Sequence, residues 1–254
     1  MNLNMTGKSL FITGGNEGIG LATALLFAEQ GVNIGILGRR AERNADAKKQ
    51  IEAKGVKCIA VTGSVINEGD VSGAIKRVTD AFGGLHYAFN NAGVVATPKP
   101  FPQLTDDDFE HLIGVNLKGV WLSMKHELPV IMATGGGSIV NTGSIASTVG
   151  MPMLPLYVAS KHGLLGMTKA AALEYAQQGI RINAICPGTT EDTGMHVNMS
   201  ADFPQVGDML KKMVPMGRMG KPHEIAGCVL YMCSDSASYM TGQAVYIDGG
   251  FAVP

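Results

Sequence analysis

Short apolar runs and longer amphipathic stretches alternate along the 254-residue chain from end to end. The apolar runs have the length of strands and cover Ser9–Thr13, Asn33–Leu37, Val56–Thr62, Leu85–Phe89, Ser138–Thr142, Ile180–Cys186 and Ala244–Ile247. Helical patterns lie between them over Leu21–Gln30, Arg40–Lys54, Val71–Phe82, Asp106–Met132, Tyr157–Gln178 and His223–Ser234. Repeated strand–helix units predict an α/β fold with a doubly wound parallel sheet of about seven strands.

The predicted strands are apolar without alternation, as in Ile34-Gly35-Ile36-Leu37, which is typical of strands covered by helices on both faces. No repeat or low-complexity linker interrupts the order, so residues 1–254 are predicted to form one domain. The one break is Thr189–Pro222, which follows the sixth predicted strand and is rich in Met, Gly and Asp. Because long insertions in compact domains are often functional, this segment is predicted to be a lid over a site.

Composition limits the classes of partner. A net charge of −1, with no long basic run, gives no electrostatic footprint for nucleic acid or an anionic membrane. No stretch approaches the roughly 20 apolar residues of a membrane span, and a cytoplasmic location is expected. Four scattered cysteines show neither a C-x-x-C pair nor histidine at ligand spacing, which predicts inert thiols and no metal site; they are Cys58, Cys186, Cys228 and Cys233.

Candidate acid–base chemistry lies in one predicted helix. Tyr157 and Lys161 are four residues apart and therefore share a helix face, which lets the ammonium lower the pKa of the phenol. Ser144, thirteen positions upstream, offers a hydroxyl that can hold a carbonyl or alcohol oxygen beside the phenol. The Y-x-x-x-K spacing alone is weak, because buried tyrosines and helix-surface lysines are common.

A glycine-rich turn joins the first predicted strand to the first helix. Missing side chains allow a tight turn and a close approach to a pyrophosphate, whose charge then faces the helix N-terminus. An ordinary strand-to-helix turn is the equal alternative. The candidate cofactor-binding residues in this turn are Gly14, Asn16, Glu17, Gly18, Ile19 and Gly20.

The end of the second predicted strand bears on the choice of coenzyme. An NAD site usually has an acidic residue there, whereas this chain has Gly38, Arg39 and Arg40. A small residue leaves room for a 2′-phosphate, and an arginine binds it with paired donors, so NADP(H) is preferred over NAD(H). Either arginine is alternatively a solvated residue opening the next helix, and Glu17 argues against a phosphate.

Asn91, Ala92 and Gly93 follow the fourth strand, where they form either a turn or a cofactor contact.

Taken in order, the motifs resemble the short-chain dehydrogenase/reductase family, over essentially the whole chain. They are Thr13-Gly14-x-x-x-Gly18-x-Gly20, Asn90-Asn91-Ala92-Gly93, Asn116, Ser144, Tyr157-x-x-x-Lys161, Pro187-Gly188, Thr241-Gly242-Gln243 and Asp248-Gly249-Gly250. The resemblance implies a single-domain Rossmann-type fold. It also implies that Tyr157 is the general acid or base, that Ser144 holds the reacting oxygen, and that Lys161 contacts the nicotinamide ribose. Asn116 would hold a water that connects Lys161 to solvent.

Three positions depart from the family pattern. Thr190 occupies a slot that is usually aliphatic, and Thr193 is one position late, so either threonine is the candidate that binds the cofactor beside Pro187 and Gly188. Ser64 stands where relatives usually have an aspartate near the adenine, and the backbone of Val65 is the alternative contact. Gly143 stands beside Ser144 where a second serine is frequent.

The candidate substrate pocket is apolar and deformable, which favours a carbonyl or secondary alcohol with a hydrophobic body. Any one methionine is more simply explained by packing of the lid. Besides Ser144 and Tyr157, the pocket candidates are Ile145, Met151, Met153 and Leu154 after the serine and Met195 and Met199 in the lid.

The resemblance implies a homotetramer built through the two long helices and the C-terminus, although core packing explains the same apolar positions. The leading function is an NADP-dependent ketone reductase or alcohol dehydrogenase. A 3-oxoacyl thioester reductase and an NAD-dependent sugar or steroid dehydrogenase are alternatives within the family. A non-catalytic dinucleotide-binding sensor or scaffold is the alternative of a different class.

Overall fold

One parallel sheet forms the centre of the molecule. The computed structural model describes residues 3–95, 97–193 and 206–253. The strands in the described residues are β1 Ser9–Thr13, β2 Asn33–Gly38, β3 Cys58–Thr62, β4 Tyr87–Asn90, β5 Gly137–Thr142, β6 Ile180–Pro187 and β7 Ala244–Ile247. Every neighbouring pair is parallel, in the order β3-β2-β1-β4-β5-β6-β7. The predicted α/β class and doubly wound parallel sheet are confirmed.

Helices connect the strands and cover both faces of the sheet. They are α1 Gly18–Ala28, α2 Ala41–Glu52, α3 Glu68–Phe82, α4 Asp106–Ile113, α5 Gly119–Ala133, α6 Pro155–Tyr175, α7 Val206–Met213 and α8 Pro222–Cys233. On one face, buried side chains of α3, α5 and α6 pack with Phe11 and Ile139 of the sheet. On the other face, α1, α2 and α8 pack with Leu10 and Ile12. Neighbours along β1 thus bury into opposite layers, which explains why its sequence is apolar without alternation.

Some strand boundaries differ from the prediction, because a residue can be buried without pairing with a neighbouring strand. Residues 56 and 57 precede β3, and β4 begins two residues later and ends one residue later than the predicted Leu85–Phe89. Leu85 is fully buried, but its amide donates a hydrogen bond to the Thr134 hydroxyl (3.2 Å). The apolar residues therefore predicted the buried segment correctly but not the limits of the strand. Backbone hydrogen bonding to a neighbouring strand, and not burial, defines those limits.

The long helix predicted over Asp106–Met132 is interrupted. A π-helical turn, Gly114–Lys118, separates α4 from α5. Asn116 lies in this turn, and its side chain bonds the Val94 backbone in both directions: Val94 N donates to Asn116 Oδ1 (2.8 Å) and Asn116 Nδ2 donates to Val94 O (2.8 Å). Such turns are frequent at functional sites because they redirect a side chain.

The predicted lid segment is described only at its two ends. Thr190 pairs with Gly220 in an isolated bridge, and Glu191 N donates to Gly220 O (2.9 Å), so the two ends are tied together. The helix α7 lies within the segment. Met195 and Met199, together with the further apolar lid positions Val197 and Phe203, lie outside the described residues. None of the helices in the described ranges has the length and apolar character that a membrane crossing requires.

Candidate active site

The carboxyl ends of the central strands meet at one edge of the sheet. Because β1 lies between β2 and β4, the chain leaves β1 and β4 in opposite directions, which opens the crevice where doubly wound folds bind ligands. The glycine turn follows β1, Asn91–Gly93 follows β4, Ser144 follows β5 and Gly188 follows β6. The predicted motifs of four separate segments thus share one edge.

The turn after β1 is shaped by absent side chains. Gly18 has a φ of +51°, a conformation that favours glycine. A Cβ atom at Gly20 would collide with the Gly14 carbonyl oxygen, which in turn accepts a hydrogen bond from Asn91 Nδ2 (3.1 Å). Glu17, at the N-cap of α1, makes no side-chain capping bond to the helix. The first-turn amides of α1 are therefore left to face an anion.

Asn16 has a structural partner within the protein. It is buried, and its Nδ2 donates to Asn44 Oδ1 (2.6 Å). Asn44 Nδ2 donates in turn to the carbonyl oxygens of Gly38 (2.9 Å) and Val61 (3.1 Å). The Asn16 side chain thus ties the turn to the ends of β2 and β3. Asn44 was not predicted from the sequence, and the neighbouring Ile19 packs into the core beneath α1.

The two predicted arginines have different surroundings. Glu17 forms ion pairs with both Arg40 and Arg43, so the carboxylate beside the phosphate turn is engaged by α2. Arg39 is exposed at the end of β2, and no ion pair to it occurs among the described residues. Of the two, Arg39 is therefore the guanidinium that is available for a 2′-phosphate.

Backbone contacts hold the segment after β4 against the phosphate turn. Thr13 Oγ1 accepts hydrogen bonds from the amides of Asn91 and Ala92, each at 3.1 Å. After β3, the Ser64 amide donates to Asp70 Oδ2 (2.8 Å), while Val65 is buried against α5. The Ser64 backbone is thus committed to α3, whereas its side chain is only partly buried.

Tyr157 and Lys161 lie together near the start of α6, and both are buried. Lys161 Nζ is 5.8 Å from the centroid of the Tyr157 ring and donates a hydrogen bond to Thr142 O (2.7 Å) at the end of β5. Ser144 begins a short 3-10 helix, Ile145–Ser147, and its Oγ accepts from Ala146 N (3.1 Å). The β5 end therefore positions both the serine and the lysine.

Asn116 and Lys161 converge on Gly93. A Cβ atom at Gly93 would lie 3.4 Å from Asn116 Oδ1 and 3.6 Å from Lys161 Nζ. Asn116 is fully buried, and its Nδ2 also lies 3.3 Å from Ser160 Oγ, to which it donates. The π-helical turn, α6 and the segment after β4 are thus joined at one point, which places the predicted cofactor segment beside the predicted proton-transfer groups.

Burial is the main cause of the pKa shifts of Tyr157 and Lys161. It raises the pKa of Tyr157 above its usual value, and the hydrogen bond from the Ser144 hydroxyl offsets part of that rise. Burial also lowers the pKa of Lys161 to about 8. The predicted lowering of the Tyr157 pKa is wrong for the protein alone, because burial raises this pKa.

A buried carboxyl lies behind the segment after β4. Asn90 Nδ2 donates to Glu127 Oε2 (3.0 Å) and to Asn141 Oδ1 (3.0 Å), and Glu127 is fully buried. Among the described residues, Glu127 Oε1, Asn90 Oδ1 and Thr142 Oγ1 are buried without a hydrogen-bond partner. Burial raises the pKa of Glu127 to about 8, which favours the neutral carboxyl at pH 7, a form that carries a hydrogen-bond donor.

Glu127→Gln should make folding stability less dependent on pH. A carboxyl with a raised folded-state pKa contributes stability that is complete below its ordinary pKa and lost as pH rises through about 8. The amide keeps a neutral acceptor and donor at every pH. The melting temperature of the variant relative to wild type should therefore rise between pH 6 and pH 9, reaching a gain of roughly 5 °C or more. Glu110→Gln, at an exposed position, serves as control, and a pH-independent difference would contradict the assignment.

The two candidate threonines after β6 lie in different places. Gly188 N donates to Ile247 O (3.0 Å), which fixes the end of β6 against β7. Thr190 is buried, and its hydroxyl donates to Gly188 O (3.1 Å). A Cβ atom at Gly18 would lie 3.3 Å from Thr193 Cα, so Thr193 lies against the phosphate turn. Pro187 ends β6 beneath both threonines.

An apolar cluster surrounds Tyr157. Leu112 and Ala146 are buried against it, and Met151 and Leu154 pack on this cluster as the pocket prediction requires. Ile145 is buried nearby, whereas Met153 is 47% exposed and has a φ of +65°. Met153 O accepts from Lys99 N (3.0 Å), so its backbone rather than its side chain shapes this region. The cluster also contains six residues that were not predicted for the pocket: Leu112, Ala146, Val94, Val95, Leu156 and Val158.

A cavity of about 370 Å³ adjoins this cluster through Val95 and Leu112. Its polar lining includes Asp107 and His111 of α4, together with Lys99, whose Nζ forms an ion pair with Asp108 Oδ2 (2.7 Å). Asp106, Asp107 and Asp108 all lie in the first turn of α4. Since Lys99 neutralises only one carboxylate, the rim of the cavity is acidic.

Comparisons with known proteins identify the family. A family model described as enoyl-(acyl carrier protein) reductase matches residues 14–252. Cyclohexanol dehydrogenase of Acinetobacter sp. (strain SE19) is 39% identical over 251 residues, which cover 99% of this chain and 97% of that protein. The 2,5-dichloro-2,5-cyclohexadiene-1,4-diol dehydrogenase of Sphingobium indicum (strain DSM 16412) is 35% identical over 250 residues, 98% of each chain. The chain belongs to the short-chain dehydrogenase/reductase family, which confirms the resemblance.

Solved structures share the whole fold. L-Sorbose reductase from Gluconobacter frateurii, complexed with NADPH and L-sorbose, superposes with a TM-score of 0.94 at 27% identity and covers 100% of both chains. NAD⁺-bound xylitol dehydrogenase superposes with a TM-score of 0.92 at 33% identity and covers 97% of this chain and 100% of that one. Similar structures thus hold either coenzyme, so overall similarity does not select between them.

Proposed function

We propose that this protein is an NADP(H)-dependent oxidoreductase that interconverts a ketone and a secondary alcohol carried on a small, uncharged, largely apolar body. The observation that carries the proposal is the convergence of Asn116 and Lys161 on Gly93, beside the buried Tyr157. A non-catalytic dinucleotide sensor would have no chemical need to bring these groups together at a cofactor segment.

The crevice fits a dinucleotide. The glycine at position 20 lets the turn pack tightly against the Gly14 carbonyl, and the first-turn amides of α1 lack a side-chain cap. An anion at this point faces the positive end of the α1 dipole. Gly14, Gly18 and Gly20 would therefore receive the pyrophosphate, with Thr193 alongside, and the segment Asn91–Gly93 would lie under the nicotinamide ribose. When bound, this coenzyme supplies or accepts the hydride.

The protein's own groups handle the substrate oxygen and its proton. Tyr157 donates a proton to the carbonyl oxygen during reduction and removes it during oxidation. The Ser144 hydroxyl donates a hydrogen bond to the same oxygen and stabilises the charge that develops there. The ammonium of Lys161 favours the phenolate when the proton leaves Tyr157, and burial of both groups strengthens this interaction. Asn116 fixes the segment after β4 against Lys161 through its two bonds to Val94.

A preference for NADP(H) is supported by the end of β2. Arg39 follows β2 directly, is exposed, and has no ion-pair partner within the described residues. A guanidinium binds a phosphate with two parallel hydrogen bonds. Glu17 is held by Arg40 and Arg43, which reduces its repulsion of a 2′-phosphate.

The pocket favours a ketone or alcohol of ring size. The cluster around Tyr157 is apolar, and the adjoining cavity of about 370 Å³ suits a small molecule. Two similar proteins carry cyclohexanol and a cyclohexadiene diol in their names, so both are named for substrates with a six-membered ring. The acidic rim formed by the first turn of α4 disfavours a 3-oxoacyl thioester on a phosphate-bearing carrier.

A coenzyme and substrate panel tests the proposed function. Wild-type protein is mixed with NADPH or NADH and a set containing cyclohexanone, a linear ketone, a steroid ketone, a ketose and a 3-oxoacyl thioester, and coenzyme oxidation is followed by absorbance. The expected result is the highest kcat/KM with NADPH and the cyclic ketone. Activity confined to the thioester, or to NADH with the ketose, would contradict the proposal.

A homotetramer and a cytoplasmic location are also proposed. Trp121 of α5 and Leu173 of α6 are 46% and 82% exposed in the single chain, and Val253 near the C-terminus is 73% exposed. These apolar side chains lie on the two long helices and the C-terminal segment that the family resemblance implicates, and burial in an interface would remove them from water. Light scattering that gives a mass of four chains would support the assembly.

The proposed cytoplasmic location agrees with the cysteines, since all four are free thiols and the cytoplasm is a reducing compartment.

A further inference from the structure

Cys186 is a buried thiol that the proposed chemistry does not use. It lies in β6, is fully buried, and is close enough to Tyr157 and Lys161 to influence the titration of both. Burial raises the pKa of the thiol, so Cys186 is neutral and is not itself a proton donor or nucleophile at ordinary pH. Its sulfur lies beside Gly143, the residue before Ser144, and so packs against the segment that carries the serine.

The space beside Gly143 is occupied by Cys186. A Cβ atom at Gly143 would lie 2.8 Å from Cys186 Sγ, 3.0 Å from Ile185 O and 3.0 Å from Ser147 Oγ. The first of these distances is shorter than real side chains tolerate. Gly143 does not have a positive φ, so its backbone conformation is open to any residue. A side chain at position 143 would therefore press hardest on the Cys186 thiol, and also on the Ile185 carbonyl and the Ser147 hydroxyl.

The thiol also contacts the groups that hold Ser144. It interacts with the Ser144 backbone and with the hydroxyls of Ser147 and Tyr246. Ser144 N donates to Ser147 Oγ (3.0 Å), and the Tyr246 hydroxyl is hydrogen-bonded to Thr148 Oγ1 (2.7 Å). Cys186 thus fills the centre of a small network that connects β6 and β7 to both ends of the turn carrying the serine.

We infer that Cys186 and Gly143 form a size-matched pair that positions Ser144, with Cys186 acting as a positioning residue for the carbonyl chemistry. This inference rests on the proposed function, because it assigns a consequence to the location of the Ser144 hydroxyl. The departure from the frequent serine at position 143 is then explained, since any side chain there would push the thiol or the serine turn out of place. A displacement of about 1 Å is enough to lower the rate of a positioned reaction roughly 100-fold.

A compensating double substitution tests the pair. Gly143→Ala should lower kcat roughly 100-fold, because the new methyl group displaces the Ser144 turn. Cys186→Ala should lower kcat by less than about tenfold, because it removes support without adding a clash. The double variant should recover at least about tenfold in kcat relative to Gly143→Ala, which independent effects cannot produce. The Kd for NADPH, measured by fluorescence, should change little in all three variants.

Matched controls separate positioning from general damage. Gly150→Ala, in the same loop but with open space around it, should retain wild-type kcat. Cys233→Ala combined with Gly143→Ala should give no recovery, because this buried thiol does not touch Gly143. If Gly143→Ala does not fold, Cys186→Val replaces it, and a lowered kcat with unchanged Kd for NADPH is expected. Absence of recovery in the double variant, or an unchanged kcat in Cys186→Val, would overturn the inference. An inactive wild type would instead overturn the proposed function.

Discussion

Tyr157→Phe should bind NADPH as tightly as wild type while its turnover of a cyclic ketone falls by about 10²- to 10⁴-fold. Phenylalanine preserves the ring that packs against Leu112 and Ala146, so the apolar cluster and the fold remain intact. Only the hydroxyl that exchanges a proton with the substrate oxygen is lost. Coenzyme binding is measured by fluorescence titration, and turnover is measured by NADPH oxidation at saturating ketone.

Tyr175→Phe is the matched control for this substitution. Tyr175 ends the same helix, far from Ser144, and its hydroxyl has no role in the proposed chemistry. It should retain wild-type kcat and NADPH affinity. If Tyr157→Phe turned over at a rate comparable to wild type, the proton would come from another group and the assignment of Tyr157 would be wrong.

Arg39→Asp should reverse the coenzyme preference. The substitution replaces the exposed guanidinium at the end of β2 by a carboxylate, which repels a 2′-phosphate and accepts a hydrogen bond from a ribose 2′-hydroxyl. The value of kcat/KM for NADPH should fall roughly 10- to 100-fold, since charge-assisted hydrogen bonds contribute about 1.5–3 kcal/mol. The value for NADH should rise. Steady-state kinetics with both coenzymes at a fixed ketone concentration give the ratio.

Arg77→Asp makes the same change of charge at an exposed position on α3 and should leave the ratio unaltered. This control separates a local contact from a general field effect, which falls off within about a Debye length. An unchanged preference for NADPH over NADH in Arg39→Asp would mean that another part of the crevice recognises the 2′-phosphate. The ion pairs of Glu17 with Arg40 and Arg43 would then be the next element to examine.

The fold was predictable because its main determinants are local. Apolar runs without alternation identified strands buried on both faces, and their alternation with helical patterns indicated parallel order. Parallel order places the residues that follow β1, β4, β5 and β6 at one edge of the sheet. Ser144 was predicted separately, from its spacing to Tyr157 and from the family resemblance. The structure places Gly18, Asn91 and Ser144 at that edge, and Tyr157 beside Ser144.

The remaining features depend on pairings that leave no local signal. Asn16 bonds Asn44 across 28 positions, and Asn90 bonds Glu127 across 37 positions. Nothing in the neighbourhood of Asn44 or Glu127 distinguishes them from solvated residues of a helix, because the sequence does not show what packs against a helix. The π-helical turn at Asn116 is hidden for the same reason, since it is stabilised by the Val94 backbone rather than by its own residues.

The direction of the Tyr157 pKa shift illustrates the same limit. The spacing of Tyr157 and Lys161 in the sequence indicated that a cation lies near the phenol. The sequence did not indicate how deeply the two side chains are buried. Burial raises the pKa of Tyr157 and lowers that of Lys161 to about 8, so each group is held toward its neutral form in the protein alone. A substrate oxygen that develops negative charge between Ser144 and Tyr157 draws the phenolic proton toward itself.

Isotope transfer tests the central claim most directly. Wild-type protein is incubated with cyclohexanone and NADPH that carries deuterium at both C4 positions of the dihydronicotinamide, and the product is analysed by mass spectrometry and NMR. The account predicts cyclohexanol with one deuterium on the carbinol carbon, formed in the wild type and in Tyr175→Phe but reduced in Tyr157→Phe to the extent that kcat is reduced. Oxidation of the coenzyme without deuterium in the alcohol, or equal deuterium transfer in Tyr157→Phe, would contradict it.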